Sequence, residues 1–366
     1  MGKKVRVAIV GLGFGAEFIP IYQDHPNAEM AAICQRTREK LDEVGDTFKV
    51  DQRYTSYEEL LKNPDIDAIH INTPIPFHAE QSIAALNAGK HVACTVPAAT
   101  TLEELQRIVD AQRASGRKYM MMETVVYSRE YLFLKNLKER GELGKIQFLR
   151  GSHQQEMAGW PGYWEGLPPM HYATHCVSPC LALAGNLAEY VSCFGSGEIS
   201  KELTQKYGSP FAVESALVKI KDSALSFEVT RSLFETSREY IESFDVYGSR
   251  KSFEWKQLEA GKHIMFEGED GKEIEIPDAA DLLPPEIRKY TTKGVYDNDD
   301  NQHLSFIQGS GHGGSHPHLA HEFIMSIVED REPYPNAEQS ANWTATGLCA
   351  HQSAMAGGKI VQLPVF

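Results

Sequence analysis

Apolar and polar positions along the chain fall into two textures. From the N-terminus to Met122, short unbroken apolar runs alternate with longer segments that are apolar on one side only. The runs are Val5–Val10 (interrupted by Arg6 alone), Met30–Cys34, Ala68–Asn72, Val92–Cys94 and Tyr119–Met122. Strands covered on both faces read this way, and their alternation with amphipathic stretches predicts βαβ units around a parallel sheet. Helix signals stand between the runs. Ser56 with Glu59, and Thr101 with Glu104, have the spacing of a capping box, and Gly89 after the periodic run Ile83–Leu86 closes a helix in the left-handed conformation.

From about Tyr127 the period changes to two. Ile146–Arg150, Tyr190–Phe194, Ala216–Ile220, Ala224–Thr230, Glu242–Tyr247 and Phe253–Trp255 alternate, which predicts a mostly antiparallel sheet with one open face. Helices are predicted over Ala173–Leu183, over Leu319–Val328 and, after the break at Pro333-Tyr334-Pro335, over Ala341–Met355. Pro277–Gly311 is polar and patternless and reads as a long loop. The expected architecture is α/β, with a dinucleotide-binding domain over residues 1–125. An α/β domain with a large, mostly antiparallel open sheet, for substrate binding and oligomerisation, is expected over 126–366.

Composition narrows the function classes. A length of 366 residues suits two domains, and 42% hydrophobic with 23% charged residues is the make-up of a soluble globular protein. No run approaches the roughly 20 apolar residues that span a bilayer. Met1-Gly2-Lys3-Lys4-Val5 leads into strand pattern without a small-residue cleavage site, so the cytoplasm is the expected address. The net charge of −14 argues against nucleic acid or an anionic membrane as partner. Six scattered cysteines (Cys34, Cys94, Cys176, Cys180, Cys193 and Cys349) are expected to be reduced and buried rather than disulfide-bonded or metal-bound.

The chemistry starts where the first run ends. Val5–Val10 is followed at once by Gly11-Leu12-Gly13-Phe14-Gly15-Ala16, a dinucleotide fingerprint between strand and helix, the signature of a Rossmann unit. Gly11 makes the tight turn, Gly13 lets backbone approach the pyrophosphate, and Ala16 takes the small third position. The helix that begins there offers its first amides to the phosphates. Where the second strand ends, an acidic residue normally binds the adenosine ribose. Here stand Gln35, which can bond a ribose hydroxyl, and Arg36, which can welcome a 2′-phosphate, so NAD is expected with NADP left open.

The stretch Ile69-His70-Ile71-Asn72-Thr73-Pro74, then His78, then Ala88-Gly89-Lys90-His91-Val92 resembles the glucose–fructose oxidoreductase, inositol dehydrogenase and MocA family, as do Gly141-Glu142-Leu143-Gly144 and the Ala-rich last helix. The resemblance covers essentially the whole chain. It implies a Rossmann domain followed by an α/β domain whose open sheet serves contacts between copies. It also implies that Asn72, Thr73, Pro74, His78, Thr95 and Pro97 lie along the cofactor. Two departures matter. The family's Glu-Lys-Pro is Thr95-Val96-Pro97 here, and valine cannot take or give a proton. The family's aspartate four residues before its acid/base histidine is His171, and the histidine itself is His175.

The spacing of His171 and His175 puts both rings on one helical face. Neutral histidine suits the task of taking the proton from an alcohol as its hydride leaves, which would make His175 the base and His171 its helper. Such a pair can also be metal ligands or a structural feature of a helix start; no metal is expected. His312 and His316, in Gly309–His318, have the same spacing. His153, Gln154, Glu156, Trp160, Tyr163 and Trp164 gather before the predicted helix, and aromatic plates with polar groups suit the C–H faces and hydroxyls of a sugar. Together with His312 and His316 they are the expected substrate residues. Within the family the pattern resembles bacterial glycoside 3-dehydrogenases, which implies NAD(P)-dependent oxidation of a sugar or glucoside at C3. The resemblance also leaves open a redox-neutral glycosidase that oxidises, eliminates, adds water and reduces again, and a non-catalytic sensor of dinucleotide or sugar.

Overall fold

The computed structural model describes residues 4–158, 166–291 and 312–366. The chain forms two compact units, one of residues 1–127, 278–341 and 366, the other of residues 128–277 and 342–365.

The first unit is built on six parallel strands: β1 (Val5–Val10), β2 (Ala28–Cys34), β3 (Gln52–Tyr54), β4 (Ala68–Ile71), β5 (His91–Thr95) and β6 (Tyr119–Met122). Their order, β3-β2-β1-β4-β5-β6, is the doubly wound order of a Rossmann domain. The connecting helices are α1 (Ile19–Asp24), α2 (Arg38–Phe48), α3 (Tyr57–Leu61), α4 (His78–Asn87) and α5 (Leu102–Ser115). Thr101 and Glu104 make the full reciprocal cap of α5, and Ser56 accepts the Glu59 amide at 3.2 Å to open α3. Strand β3 was not expected. Three half-buried residues carry too short a pattern to register.

The second unit begins with α6 (Arg129–Glu139) and carries a nine-stranded sheet. In chain order its members are β7 (Ile146–Gln154), α7 (Thr174–Ala184), β8 (Ala188–Ser196), α8 (Lys201–Tyr207), β9 (Val213–Ile220), β10 (Ser226–Ser232), β11 (Ile241–Gly248), β12 (Lys251–Glu254), β13 (His263–Glu267), β14 (Asp270–Ile274) and, at the end, β15 (Val361–Gln362). The strand order is β14-β13-β12-β11-β7-β10-β9-β8-β15, and every pair is antiparallel except β7 with β10. The expected mostly antiparallel sheet is therefore present. Burial alternates along its strands. In β9, Glu214, Ala216, Val218 and Ile220 point inward, and Leu217 on the other face is 54% exposed.

The chain then returns to the first unit. Leu283, Ile287 and Tyr290, within the stretch read as a structureless loop, join the core of Val7, Ile9, Phe18 and Met120. So do Leu319, Ala320, Phe323 and Ile324 of α9 (His316–Val328). Short 3-10 turns at Ala280–Leu282 and Arg288–Thr291 bring the first three there. The last helix, α10 (Ala337–Met355), starts in the first unit and ends in the second.

Candidate functional site

Each unit carries one part of the chemistry. In the first, β1 ends at Val10 and the backbone turns at Gly11, whose φ is +87°. A Cβ at this position would stand 2.5 Å from the carbonyl oxygen of Asn72 at the end of β4, so both the dihedral and the space require glycine. A Cβ on Gly13 would meet nothing within 4 Å, which leaves that stretch of backbone open to an approaching group. At Gly15 it would meet Ile9 Cγ2 at 2.8 Å, so the close packing of helix on strand falls there, one residue before Ala16, whose side chain is half-buried on the core. The chain leaves the loop through a single 3-10 turn, Gly15–Phe18, before α1 starts.

The surrounding groups hold this loop. Gln35 Oε1 accepts the Leu12 amide at 3.2 Å, so the residue at the ribose position also clamps the glycine loop. The Arg36 guanidinium lies 6.0 Å from the Phe77 ring centroid. Asn72 donates from Nδ2 to the His70 carbonyl at 3.4 Å, while its Oδ1 is buried with no partner. A buried orphan acceptor beside an open glycine loop fits a bound dinucleotide that donates to it. Thr73 donates to Gln81 at 2.6 Å, and Pro74 caps the turn Ile75–Phe77. Thr95 donates to the Ile71 carbonyl at 3.2 Å.

His78 joins two backbone segments of the first unit. Its Nδ1 donates to the Pro97 carbonyl at 2.8 Å and its Nε2 to the Thr73 carbonyl at 2.7 Å. Two carbonyl acceptors require both nitrogens to carry protons. Burial works against that charge, but Cys94 and the two carbonyls outweigh it and raise the pKa to about 9. His78 ties the Asn72–Pro74 segment to the Thr95–Pro97 segment.

His312 and His316 lie in the same unit. The His312 Nδ1 and His316 Nε2 atoms are 3.2 Å apart, His316 Nδ1 is 3.3 Å from Glu17 Oε2, and both rings stand edge-on to Phe14. These residues pack on the glycine loop, and His175 belongs to the other unit. Beneath them His70 pairs with the Tyr22 hydroxyl at 3.1 Å. Burial, then His316, pushes its pKa down to about 3.

In the second unit, register builds the site. Glu214 of β9 faces Arg231 of β10, which faces His153 of β7, which faces Glu242 of β11. Four polar residues thus form one row across four strands, on the inner face where neighbouring rows are apolar. Helix α7 lies on that face because Gly151, two residues before His153, lets it down: a Cβ on Gly151 would stand 1.9 Å from the Cys176 carbonyl oxygen. The helix start therefore sets His175 over the row. Its ring centroid is 5.4 Å from that of His153, its Nε2 is 3.1 Å from the Tyr172 hydroxyl, and Glu242 Oε1 is 3.6 Å from that Nε2 and 3.7 Å from His153 Nε2. The Tyr240 hydroxyl donates to the same Oε1.

Arg231 supplies the cation of the row. It is fully buried and donates to the carbonyls of Tyr172 at 3.0 Å, His153 at 3.2 Å and Ser232, and to Gln155 Oε1 at 3.1 Å. Burial pulls its pKa down to about 10, and it remains charged at neutral pH.

The two histidines read as a pair do not share a helical face. His171 belongs to the 3-10 turn Pro169–Tyr172, and the helix begins only at Thr174, so the turn at Ala173 breaks the spacing. His171 instead stands edge-on to His351 at 5.2 Å, and His351 Nδ1 is 2.8 Å from Glu214 Oε1. Burial, then His351, lowers the His171 pKa to about 3, which keeps it neutral. Glu156 is on the surface, where it accepts the amides of Ala158 and Glu235 at 3.0 and 2.9 Å. Trp160, Tyr163 and Trp164 lie outside the described residues. Among the described residues no group of three or more His, Cys, Asp or Glu is arranged to hold a metal ion. Sequence reasoning missed Arg231, Tyr240 and Glu242, because only strand pairing brings them to His175.

Two family models match the chain in sequence order. Residues 5–123 match the family described as oxidoreductase family, NAD-binding Rossmann fold, and residues 135–363 match oxidoreductase family, C-terminal alpha/beta domain. A glycosyl hydrolase family 109 protein of Shewanella baltica is 28% identical over 258 residues, 63% of this chain. The chain spans 55% of that protein's length. An alpha-N-acetylgalactosaminidase of Shewanella oneidensis is 23% identical over 99% of this chain and 85% of its own. In fold, the chain is similar to levoglucosan dehydrogenase in complex with NADH (TM-score 0.78, 19% identity, 100% of both chains). It is also similar to an NAD binding oxidoreductase from Klebsiella pneumoniae (TM-score 0.80, 17% identity, 99% of both). With both halves matched in order, the chain belongs to the Gfo/Idh/MocA oxidoreductase family, and its first unit is that family's NAD-binding Rossmann domain.

Proposed function

We propose that this protein oxidises a secondary hydroxyl of a sugar or glucoside, at C3, with His175 as the base. The observation that carries the reading is the buried polar row under α7, which surrounds one histidine with hydroxyl, carboxylate and guanidinium groups on an otherwise apolar sheet face. When bound, NAD supplies the acceptor for the hydride. Gly11, Gly13, Phe14, Gly15, Ala16, Gln35, Arg36, Asn72, Thr73, Pro74, Thr95 and Pro97 would hold it, with His78 fixing the last two segments. His175 takes the hydroxyl proton at Nε2 as the C–H bond breaks, so alcohol becomes ketone and the ring becomes imidazolium. His171, held neutral by burial, orients rather than titrates. His153, Glu156, Trp160, Tyr163 and Trp164 are the residues proposed to bind the sugar, and His312 and His316 of the first unit are proposed as further substrate residues. Thiols that are all buried support a reducing compartment, the cytoplasm. The open sheet face is the contact in a homo-oligomer.

The test incubates the protein with NAD and an aryl glucoside and follows nicotinamide absorbance together with product mass. A product lighter by two hydrogens supports the dehydrogenase. His175→Ala is expected to lose at least about a hundredfold in turnover while still binding NAD; unchanged turnover would sink the assignment. The relatives named as glycosyl hydrolases favour a second reading, a redox-neutral glycosidase. That enzyme releases free sugar with no net change in nicotinamide absorbance.

A further inference from the structure

We propose that Glu242 positions His175 for proton transfer and balances the charge the ring acquires. This carboxylate reaches the histidine from strand β11, whereas the family pattern has an aspartate four residues before the histidine, where His171 stands here. The inference rests on His175 as base and assigns a role to a residue that no motif marked, one strand across from His153.

Three observations converge. Register places Glu242 directly across from His153 and next but one to Arg231, so its position is fixed by the sheet rather than by a flexible loop. Its Oε1 stands 3.6 Å from His175 Nε2 and 3.7 Å from His153 Nε2, ion-pair distances that lie beyond a direct hydrogen bond. Its side chain is 10% exposed, where a charge is weakly screened.

Among the described residues, the polar row under His175 gathers groups from several elements. Tyr172 stands on the turn before α7, His153 on β7, Arg231 on β10, and Tyr240 and Glu242 on β11. Arg231 opposes a positive ring, but its donors are engaged by the Tyr172, His153 and Ser232 carbonyls and by Gln155. Tyr240 holds Oε1 through its hydroxyl, which keeps the carboxylate turned to the rings. When the substrate O–H bond breaks and an N–H bond forms at Nε2, the new cation faces the Glu242 carboxylate.

The experiment titrates carbon-13-labelled histidine side chains by NMR in the full chain, with the His175 signal assigned through His175→Gln. In Glu242→Gln the His175 midpoint is expected to fall by about one pH unit or more, and Glu242→Asp is expected to restore most of it. In the same variant the acid limb of kcat/KM moves to lower pH by a matching amount. There kcat drops about tenfold or more while KM and NAD affinity change little. Should Glu242→Gln fail to fold, Tyr240→Phe serves instead, and freeing Oε1 is expected to raise the midpoint. A His175 midpoint that stays put in whichever variant folds overturns the proposal. A shifted midpoint in a protein that oxidises no sugar would remove the reading of the reaction and leave the charge pairing standing.

Discussion

A histidine can serve a site without touching what binds there. His78 spends both ring nitrogens on the Thr73 and Pro97 carbonyls, and its pKa near 9 stands above the ordinary 6.5. The folded state therefore binds the proton more tightly than the unfolded chain does. That stabilisation is complete below about pH 6.5 and is lost as pH rises through about 9, amounting to no more than roughly 3 kcal/mol. Urea unfolding midpoints should fall between about pH 6.5 and about pH 9.5 in the wild type, and His78→Gln should flatten that dependence. An equal fall in the variant would assign the effect to other groups. The glycine loop, Asn72 and the position of His175 were legible in the sequence, since each belongs to a local motif. The direction of His78 was not, because a ring nitrogen's partner depends on where Pro97 comes to lie.

At the scale of elements, pairing decides what motifs leave open. Nothing in the sequence near Glu242 or Arg231 announces chemistry; they alternate with Phe244 and Val229 as any inward strand position does. Their place beside His153 follows from the β10-β7-β11 register, a non-local quantity. The i, i+4 spacing of His171 and His175 pointed to a shared helical face, and the 3-10 turn at Pro169–Tyr172 removes it. The helix above the row depends on Gly151. Gly151→Ala puts a methyl 1.9 Å from the Cys176 carbonyl oxygen, and backbone must move to admit it. The expected cost is about 1–3 kcal/mol or more, seen as a lower melting temperature and weaker sugar turnover with NAD binding retained. A variant that melts and turns over like the wild type would show that α7 is not seated through this contact.

Across the whole molecule, the open face of the nine-stranded sheet carries both apolar and charged residues. Phe194 and Leu217 are 62% and 54% exposed on β8 and β9, and Arg150 stands between Glu228 at 3.7 Å and Asp245 at 3.8 Å in the same outward row as Leu217. Apolar residues rimmed by charge suit a contact between identical copies. Sedimentation is expected to give more than one copy for the wild type and a lighter species for Leu217→Glu; a monomeric wild type would remove this assignment. Periodicity announced the sheet and its open face, since alternation is a local property. It did not announce β13, β14 and β15: β13 is five residues with an unbroken rather than alternating apolar run, β14 is mostly polar and exposed, and β15 is two residues long.

The chain's return to its first unit has a consequence for synthesis. Phe323 and Ile324 complete a core begun by Val7 and Ile9, while the second unit waits for residues beyond Asn342. As the polypeptide leaves the ribosome N-terminus first, neither unit has all its parts until residues beyond 341 have emerged. Such interleaving raises the sequence separation of native contacts and exposes apolar strands for longer.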